Sequence, residues 1–415
     1  MGCEMIELTQ RLYAVYALMK KCKNGATTKQ LSDALKGKAI DTAQRNLLSH
    51  GIVVVYNPDT KRYLMKDVED TVGLSEDYNV RLERAKNRAE KAVVNKRETQ
   101  NMEVQAITDI LIEKMAPLIV PLDPDDFEPV EVRKFKGKQS HDPETMVAVI
   151  SDVHVGKVTK SYNFVVAQER LNNYEAGLLS VLDIQRSWNP VDKLQIFFLG
   201  DIIDGEGIYP GQAFEIGADV LDQIFTYALP MFAKFIMNIS GNFKSVKIKC
   251  VPGNHGRVSK YGSKHTNWDS VFYKALSLML KNIDNVEFGF PEKTDFYLVA
   301  DVDGNKFMLS HGAEIKSYYN TPVYQWVRHS ERWRSSISRD LNYFIFGHFH
   351  TVCKGMEFNG MEILASGTFI SDDQFSIQGM ALTPSTKQLL FGVNKKHGIT
   401  WEYSMDLTYK HEHHQ

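Results

Sequence analysis

The chain has 415 residues, 43% of them apolar and 24% charged, which is the balance of a globular protein with enough apolar sequence for two or three domains. A formal net charge of -2 excludes a global drive toward nucleic acid or an acidic membrane, so any basic surface must be local. Cys3, Cys22, Cys250 and Cys353 show no metal-type spacing. With no leader pattern and no run of about 18 apolar residues, the expectation is a cytoplasmic protein with no membrane partner.

Residues 1–70 read as a small module. Residues 6–21 carry helical apolar spacing through Leu8, Leu12, Val15, Tyr16 and Met19, and Asn24-Gly25 breaks it. Thr27-Thr28 then opens a short helix with Leu31, Ala34 and Leu35. A third helix is predicted over 40–49, ended by Gly51. Residues 52–56 and 62–65 read as strands around the turn Asn57-Pro58-Asp59-Thr60. Three helices and a hairpin resemble a winged helix-turn-helix. A small docking domain with no nucleic-acid role fits the same pattern.

Residues 71–145 begin with a long helical stretch over 75–117. Arg81, Arg84, Lys86, Arg88, Lys91, Lys96 and Arg97 outnumber Glu83, Glu90 and Glu98 there. It reads as a coiled-coil spacer, a basic arm along a phosphate backbone, or a solvated connector. Pro117, Pro121, Pro124 and Pro129, with Asp123, Asp125 and Asp126, form a linker.

The main domain is expected over 146–405, followed by a 406–415 tail that holds His411, His413 and His414. Continuous apolar runs at 147–150, 194–199 and 246–251 are expected for strands buried on both faces. Helical patterns fall at 165–187, 218–238 and 268–282, and shorter strands at 296–300, 306–310, 343–346, 361–365 and 400–403. The class is α/β: two packed sheets with helices outside.

Polar clusters follow these strands directly. They are Asp152-Val153-His154, Gly200-Asp201-Ile202-Ile203-Asp204, Gly253-Asn254-His255, His311-Gly312 and Gly347-His348-Phe349-His350. Strand C-terminal ends are where α/β sheets hold their sites. Carboxylate, amide oxygen and imidazole together suit divalent transition ions. A carboxylate can bridge two ions about 3.5–4 Å apart, and such a pair can activate water and clamp a phosphoryl group. Each cluster alone is unspecific. Five in this order point to one shared site.

Over about residues 146–370 the sequence resembles the calcineurin-like metallophosphoesterases, whose ordered signature is Asp-x-His, Gly-Asp-x-x-Asp, Gly-Asn-His, His and Gly-His-x-His. The resemblance implies a two-sheet sandwich flanked by helices. It implies that Asp152, His154 and His350 bind one metal, that Asn254, His311 and His348 bind a second, and that Asp201 bridges them. His255 is implied as the general acid, with a bridging water or hydroxide attacking phosphorus in line. One position departs from the pattern. The family often carries Asp or Glu after Gly-Asn-His, where this chain has Gly256 and then Arg257. Asp204 is therefore a substitute partner for His255. Arg257 reads either as a contact to substrate phosphate or as a surface arginine.

The motifs around Asp152 and Asp201 also resemble the nuclease branch of DNA-repair exonucleases, archaeal replicative polymerase small subunits and phage-encoded phosphoesterases. After His311, the aromatics Tyr318, Tyr319, Tyr324, Trp326 and Trp333 interleave with Arg328, Arg332, Arg334 and Arg339. They read as base-stacking and phosphate-holding groups, or as a helix with both tryptophans in the core. Lys260, Lys264 and His265 read as a phosphate path or a plain surface loop. The expected function is a two-metal phosphodiesterase or nuclease acting on DNA or RNA. Manganese is the first choice of metal, with iron, zinc, nickel or magnesium as alternatives. Nucleic acid, a homodimer or higher oligomer, and an ATPase are the candidate partners. The alternatives are a phosphatase or phosphodiesterase of small nucleotides or phosphoproteins, and a non-catalytic scaffold subunit.

Overall fold

The computed structural model describes residues 106, 109–127, 142–409 apart from 210, 259–265, 292–295, 316–322 and 373–383, and scattered positions within 15–34, 53–66 and 132–135. The chain divides into two compact units, Met1–Asn95 and Lys96–Gln415. The helix predicted over 40–49, most of the 75–117 stretch, Tyr318, Tyr319, the Lys260–His265 loop and the terminal histidines lie outside the described residues.

In the first unit, β1 (Ala26–Thr27), α1 (Thr28–Ala34), β2 (Val53–Asn57) and β3 (Arg62–Lys66) form a helix and a three-stranded antiparallel sheet of order β1-β3-β2. Thr27-x-x-Gln30 is a reciprocal cap. The Gln30 side-chain oxygen accepts from the Thr27 N–H at 2.8 Å, and Thr27 Oγ1 accepts from the Gln30 N–H at 3.3 Å. Val15, Met19, Ala26, Leu31 and Val54 make its small core.

The second unit is a four-layer sandwich. Six strands, β4 (Glu144–Ile150), β5 (Lys193–Phe198), β6 (Ser245–Cys250), β7 (Val286–Gly289), β13 (Lys387–Asn394) and β14 (Gly398–Asp406), lie in the order β14-β13-β4-β5-β6-β7. Strands β4 to β7 run parallel, while β13 and β14 add antiparallel. The second sheet has the order β11-β12-β10-β9-β8, from β8 (Tyr297–Val302), β9 (Asn305–Ser310), β10 (Tyr343–Phe346), β11 (Cys353–Phe358) and β12 (Met361–Ala365). Side-chain alternation explains the continuous apolar runs. Met146, Ala148 and Ile150 face one core, under α2 (Phe164–Gln185), α3 (Val220–Ser240) and α4 (Trp268–Met279), whereas Val147 and Val149 face Phe307, Leu309 and Ile345 of the other sheet. Helix α3 is long and apolar enough by composition to cross a membrane. Most of its apolar length is buried in this core.

One expectation needs correction, and one open reading is resolved. The Pro/Asp-rich stretch is not a free linker. Ile119, Leu122, Phe127 and Val132 pack against the core beneath the helices, and the Leu122 N–H donates to the Met279 carbonyl at 2.9 Å. Of the two readings of the tryptophans in α5 (Val323–Ser336), the helix-core reading holds. Trp326 is 1% exposed, and Trp333 packs on Phe296 and Phe346. Helical spacing carries both into the outer core, while Arg328, Arg332 and Arg339 stay exposed. Trp326→Ala should therefore cost about 3–5 kcal/mol of stability in a urea titration. A loss below about 1 kcal/mol would be incompatible with this packing.

Candidate metal centre

Register brings the five clusters together. Ile150 pairs with Phe198 and Phe198 with Cys250, so β4, β5 and β6 end side by side and release Asp152, Asp201 and Asn254 at one edge. In the second sheet Ser310 pairs with Phe346, so β9 and β10 release His311 and His348 together. The chain turns at once at each end. Asp152, His154, Asp201, His348 and His350 all have φ between 51° and 66°, the left-handed region that side chains other than glycine seldom occupy. Gly200, at φ 86°, has no room for a Cβ because the Gly253 backbone lies against it.

Among the described residues three overlapping donor groups result, the third being His154, Asp201 and His255. Asp152, His154 and His350 form the first, and Asp201, His311 and His348 the second, each with ligand atoms within 4.8 Å of one another. In the first, His350 Nε2 lies 3.4 Å from Asp152 Oδ1 and 3.3 Å from His154 Nε2. His154 Nδ1 faces Asp204 Oδ1 at 2.9 Å, so it must carry the proton, and Nε2 is left with a free electron pair. In the second, His311 Nδ1 donates to the Leu199 carbonyl at 2.7 Å. Its Nε2 faces Asp201 Oδ2 and Asn254 Oδ1, each at 3.0 Å. Two oxygens and a nitrogen thus converge on a point that only a proton or a cation can satisfy. The donor set fits a divalent metal.

Electrostatics put a proton between these groups, which a divalent metal would have to displace. Burial would raise the Asp201 carboxyl, but His311 and His255 hold it well below the usual carboxylate range. Burial disfavours a charged His311, yet Asp201 outweighs it and raises the ring to about 10. Burial and the charge of His311 push His348 down to about 3, which leaves a neutral imidazole.

Of the remaining predicted residues, His255 and Asp204 stand beside the first two groups. His255 Nδ1 lies 3.0 Å from Asp204 Oδ1, the same oxygen that holds His154. Burial opposes a proton on His255, but Asp201 and Asp204 raise it to about 9. Arg257 lies in the following loop, its backbone bridged to that of Asn267, with no ion pair to either group among the described residues. Sequence reasoning missed Gln212, whose Nε2 donates to the Asp204 carbonyl at 2.7 Å. It also missed Asp269, fully buried and bonded to the backbone of both the Asp201 and Gly253 turns. Burial and the Asp201 charge raise Asp269 to about 6. Gln212 opens a single 3-10 turn (Gln212–Phe214) and Asp269 lies in the first turn of a capped helix, where neither residue type is unusual. Removing the charge in Asp204→Asn should lower the His255 pKa, because the hydrogen-bonded carboxylate that favours the imidazolium is gone and only Asp201 is left to oppose burial. Imidazole NMR titration of metal-free protein measures it, and an unchanged value would contradict the pairing.

A family model of the calcineurin-like phosphoesterases matches residues 145–355, about half of the chain. The DNA polymerase II small subunit of Methanothermobacter thermautotrophicus is 29% identical over 175 residues, 42% of this chain but only 32% of that protein. Among solved structures, Vps29 of Entamoeba histolytica aligns at 12% identity and a TM-score of 0.30, over 62% of this chain and 98% of that one. A putative 5'-nucleotidase of Staphylococcus aureus aligns at 12% and 0.29, over 65% of this chain and 56% of that one. Likeness that low carries no weight, and membership rests on the family model together with the centre that residues 152–350 build. On those two grounds the chain belongs to the calcineurin-like phosphoesterases.

Proposed function

We propose that the chain is a two-metal phosphodiesterase that acts on nucleic acid. The observation that carries the chemistry is the pair of donor groups meeting around the buried Asp201 carboxylate. Asp152, His154 and His350 would hold one ion, and Asn254, His311 and His348 the other, with Asp201 shared. Mixed oxygen and imidazole donors favour manganese, with iron, zinc, nickel or magnesium as alternatives. Bound there, the ions would supply a nucleophilic water at neutral pH and neutralise phosphoryl charge. His255 is the general acid in this reading. Its Nδ1 is tied to Asp204, which leaves Nε2 as the atom that would hand a proton to the leaving oxygen. Gln212 restrains Asp204 and so the tilt of that ring.

Support for a nucleic-acid substrate comes from three sides. The relative described above is a DNA polymerase subunit. Exposed Arg328, Arg332 and Arg339 follow the His311 strand. The first unit carries a capped helix and hairpin. In a manganese-supplemented assay, single- or double-stranded DNA, RNA and bis(p-nitrophenyl) phosphate should be cleaved. Asp201→Ala should abolish cleavage and lower bound metal. Turnover of phosphoproteins or mononucleotides alone would refute the nucleic-acid reading, and an active Asp201→Ala enzyme would refute the centre. Protein that binds metal and DNA but cleaves nothing would instead mark a scaffold subunit.

Deleting residues 1–95 should leave hydrolysis of the small diester nearly intact while weakening DNA binding. The log–log salt slope should flatten by about 0.9 for each phosphate that the truncated protein no longer neutralises. An unchanged slope would assign the first unit to docking or oligomerisation.

A further inference from the structure

We infer that Asp269 is a positioning residue. Its carboxylate clamps the turn carrying Asp201 to the turn carrying Asn254 and His255, and so fixes the spacing of the two donor groups. The inference rests on the proposed reading of Asp201 and Asn254 as ligands. The side chain is 0% exposed. Its Oδ1 accepts from the N–H of Ile202 at 3.1 Å and of Ile203 at 3.0 Å. Its Oδ2 accepts from the N–H of Asp201 at 2.9 Å and of Gly253 at 2.8 Å. Four backbone donors from two turns therefore converge on one carboxylate, and one oxygen spans both turns.

Neighbouring residues make the clamp stiff. Asn267 Oδ1 accepts from the Asp269 N–H at 2.8 Å, which caps α4, while its Nδ2 donates to the Gly253 carbonyl at 2.7 Å. The Trp268 N–H donates to the Gly256 carbonyl at 2.6 Å. The turn at 253–256 is thus held from beginning to end by three consecutive residues of α4 and its cap. This accounts for the departure at Gly256, where any Cβ would run into the Asn267 amide and press on the Asp269 backbone. A carboxylate has no room at 256. The one that organises this turn comes from 269.

The chemistry of the clamp is strict. An amide at 269 keeps one acceptor oxygen but turns an NH2 group toward two N–H donors, so one pair of bonds must break. Asp269→Asn should consequently bind manganese about 10–100-fold more weakly at one site or both. It should lose kcat on bis(p-nitrophenyl) phosphate by a similar factor with little change in KM, and lose the spin-coupled manganese pair in electron paramagnetic resonance. Asn267→Ser keeps a helix cap but releases the Gly253 carbonyl, and should show a smaller loss in the same readouts. Thermal melts establish that each variant is folded. A folded Asp269→Asn protein with native manganese affinity, coupled signal and kcat overturns the clamp. If that variant does not fold, Asn267→Ser decides, and unchanged affinity and kcat there overturn it. Wild-type protein that takes up fewer than two manganese ions overturns the ligand reading beneath it. Two tightly bound ions in wild type separate the failure of one from the failure of the other.

Discussion

Four carboxylates, Asp152, Asp201, Asp204 and Asp269, share one pocket at 0–1% exposure, and the way their charge is held governs the rest of the molecule. An isolated buried carboxylate is costly, so each must be surrounded by hydrogen-bond donors. Asp152 accepts from the His348 N–H, Asp201 from the His255 N–H, Asp204 from two imidazoles, and Asp269 from four amides. Main-chain amides at strand ends are the chief donors. In both sheets these donors come from parallel neighbours whose C-terminal ends lie side by side.

The same requirement accounts for the strained turns. Five of the candidate site residues adopt a left-handed backbone, although each has a side chain that disfavours it. Such strain persists only where surrounding structure overdetermines it. Here the His154 N–H donates to the Asp201 carbonyl at 2.9 Å, the Phe369 N–H to the Asp152 carbonyl at 3.0 Å, and the Ser385 N–H to the His350 carbonyl at 2.8 Å. One of these bonds joins two of the strained turns, and the other two tie a turn to the loop segments at 369 and 385.

Much of this was legible in the sequence, for identifiable reasons. Runs such as 147–150 and 194–199 are apolar on both faces and stop abruptly at Asp and His, so strand, burial and site edge could be read together. The hairpin at Val53–Asn57 and Arg62–Lys66 was marked by its turn. Other features left no such mark. Strand Lys387–Asn394 mixes Lys387, Gln388 and Gly392 with its apolar residues and carries no site cluster at its end, so it shows no such signature, although it pairs with the central β4. Trp326 and its neighbouring arginines satisfy both a helix-core pattern and a binding pattern, and only packing decides. Asp269 looks like an ordinary charge in a first helical turn, because its value lies in backbone groups brought in from residues 201–203 and 253.

The pairing of β13 with β4 also sets an order of assembly during synthesis. Leu390 pairs with Ala148, and Gln388 exchanges two hydrogen bonds with the Ser151 backbone, each at 3.0 Å, immediately before Asp152. The earliest strand of the sandwich therefore waits for one of the last. At about 5–20 residues per second on the ribosome, one edge of β4 stays unpaired for roughly 12–50 s. An unpaired apolar edge is a template for association with another chain. The nascent protein is most vulnerable to aggregation in that interval, and the turn that carries Asp152 is among the last parts of the centre to set.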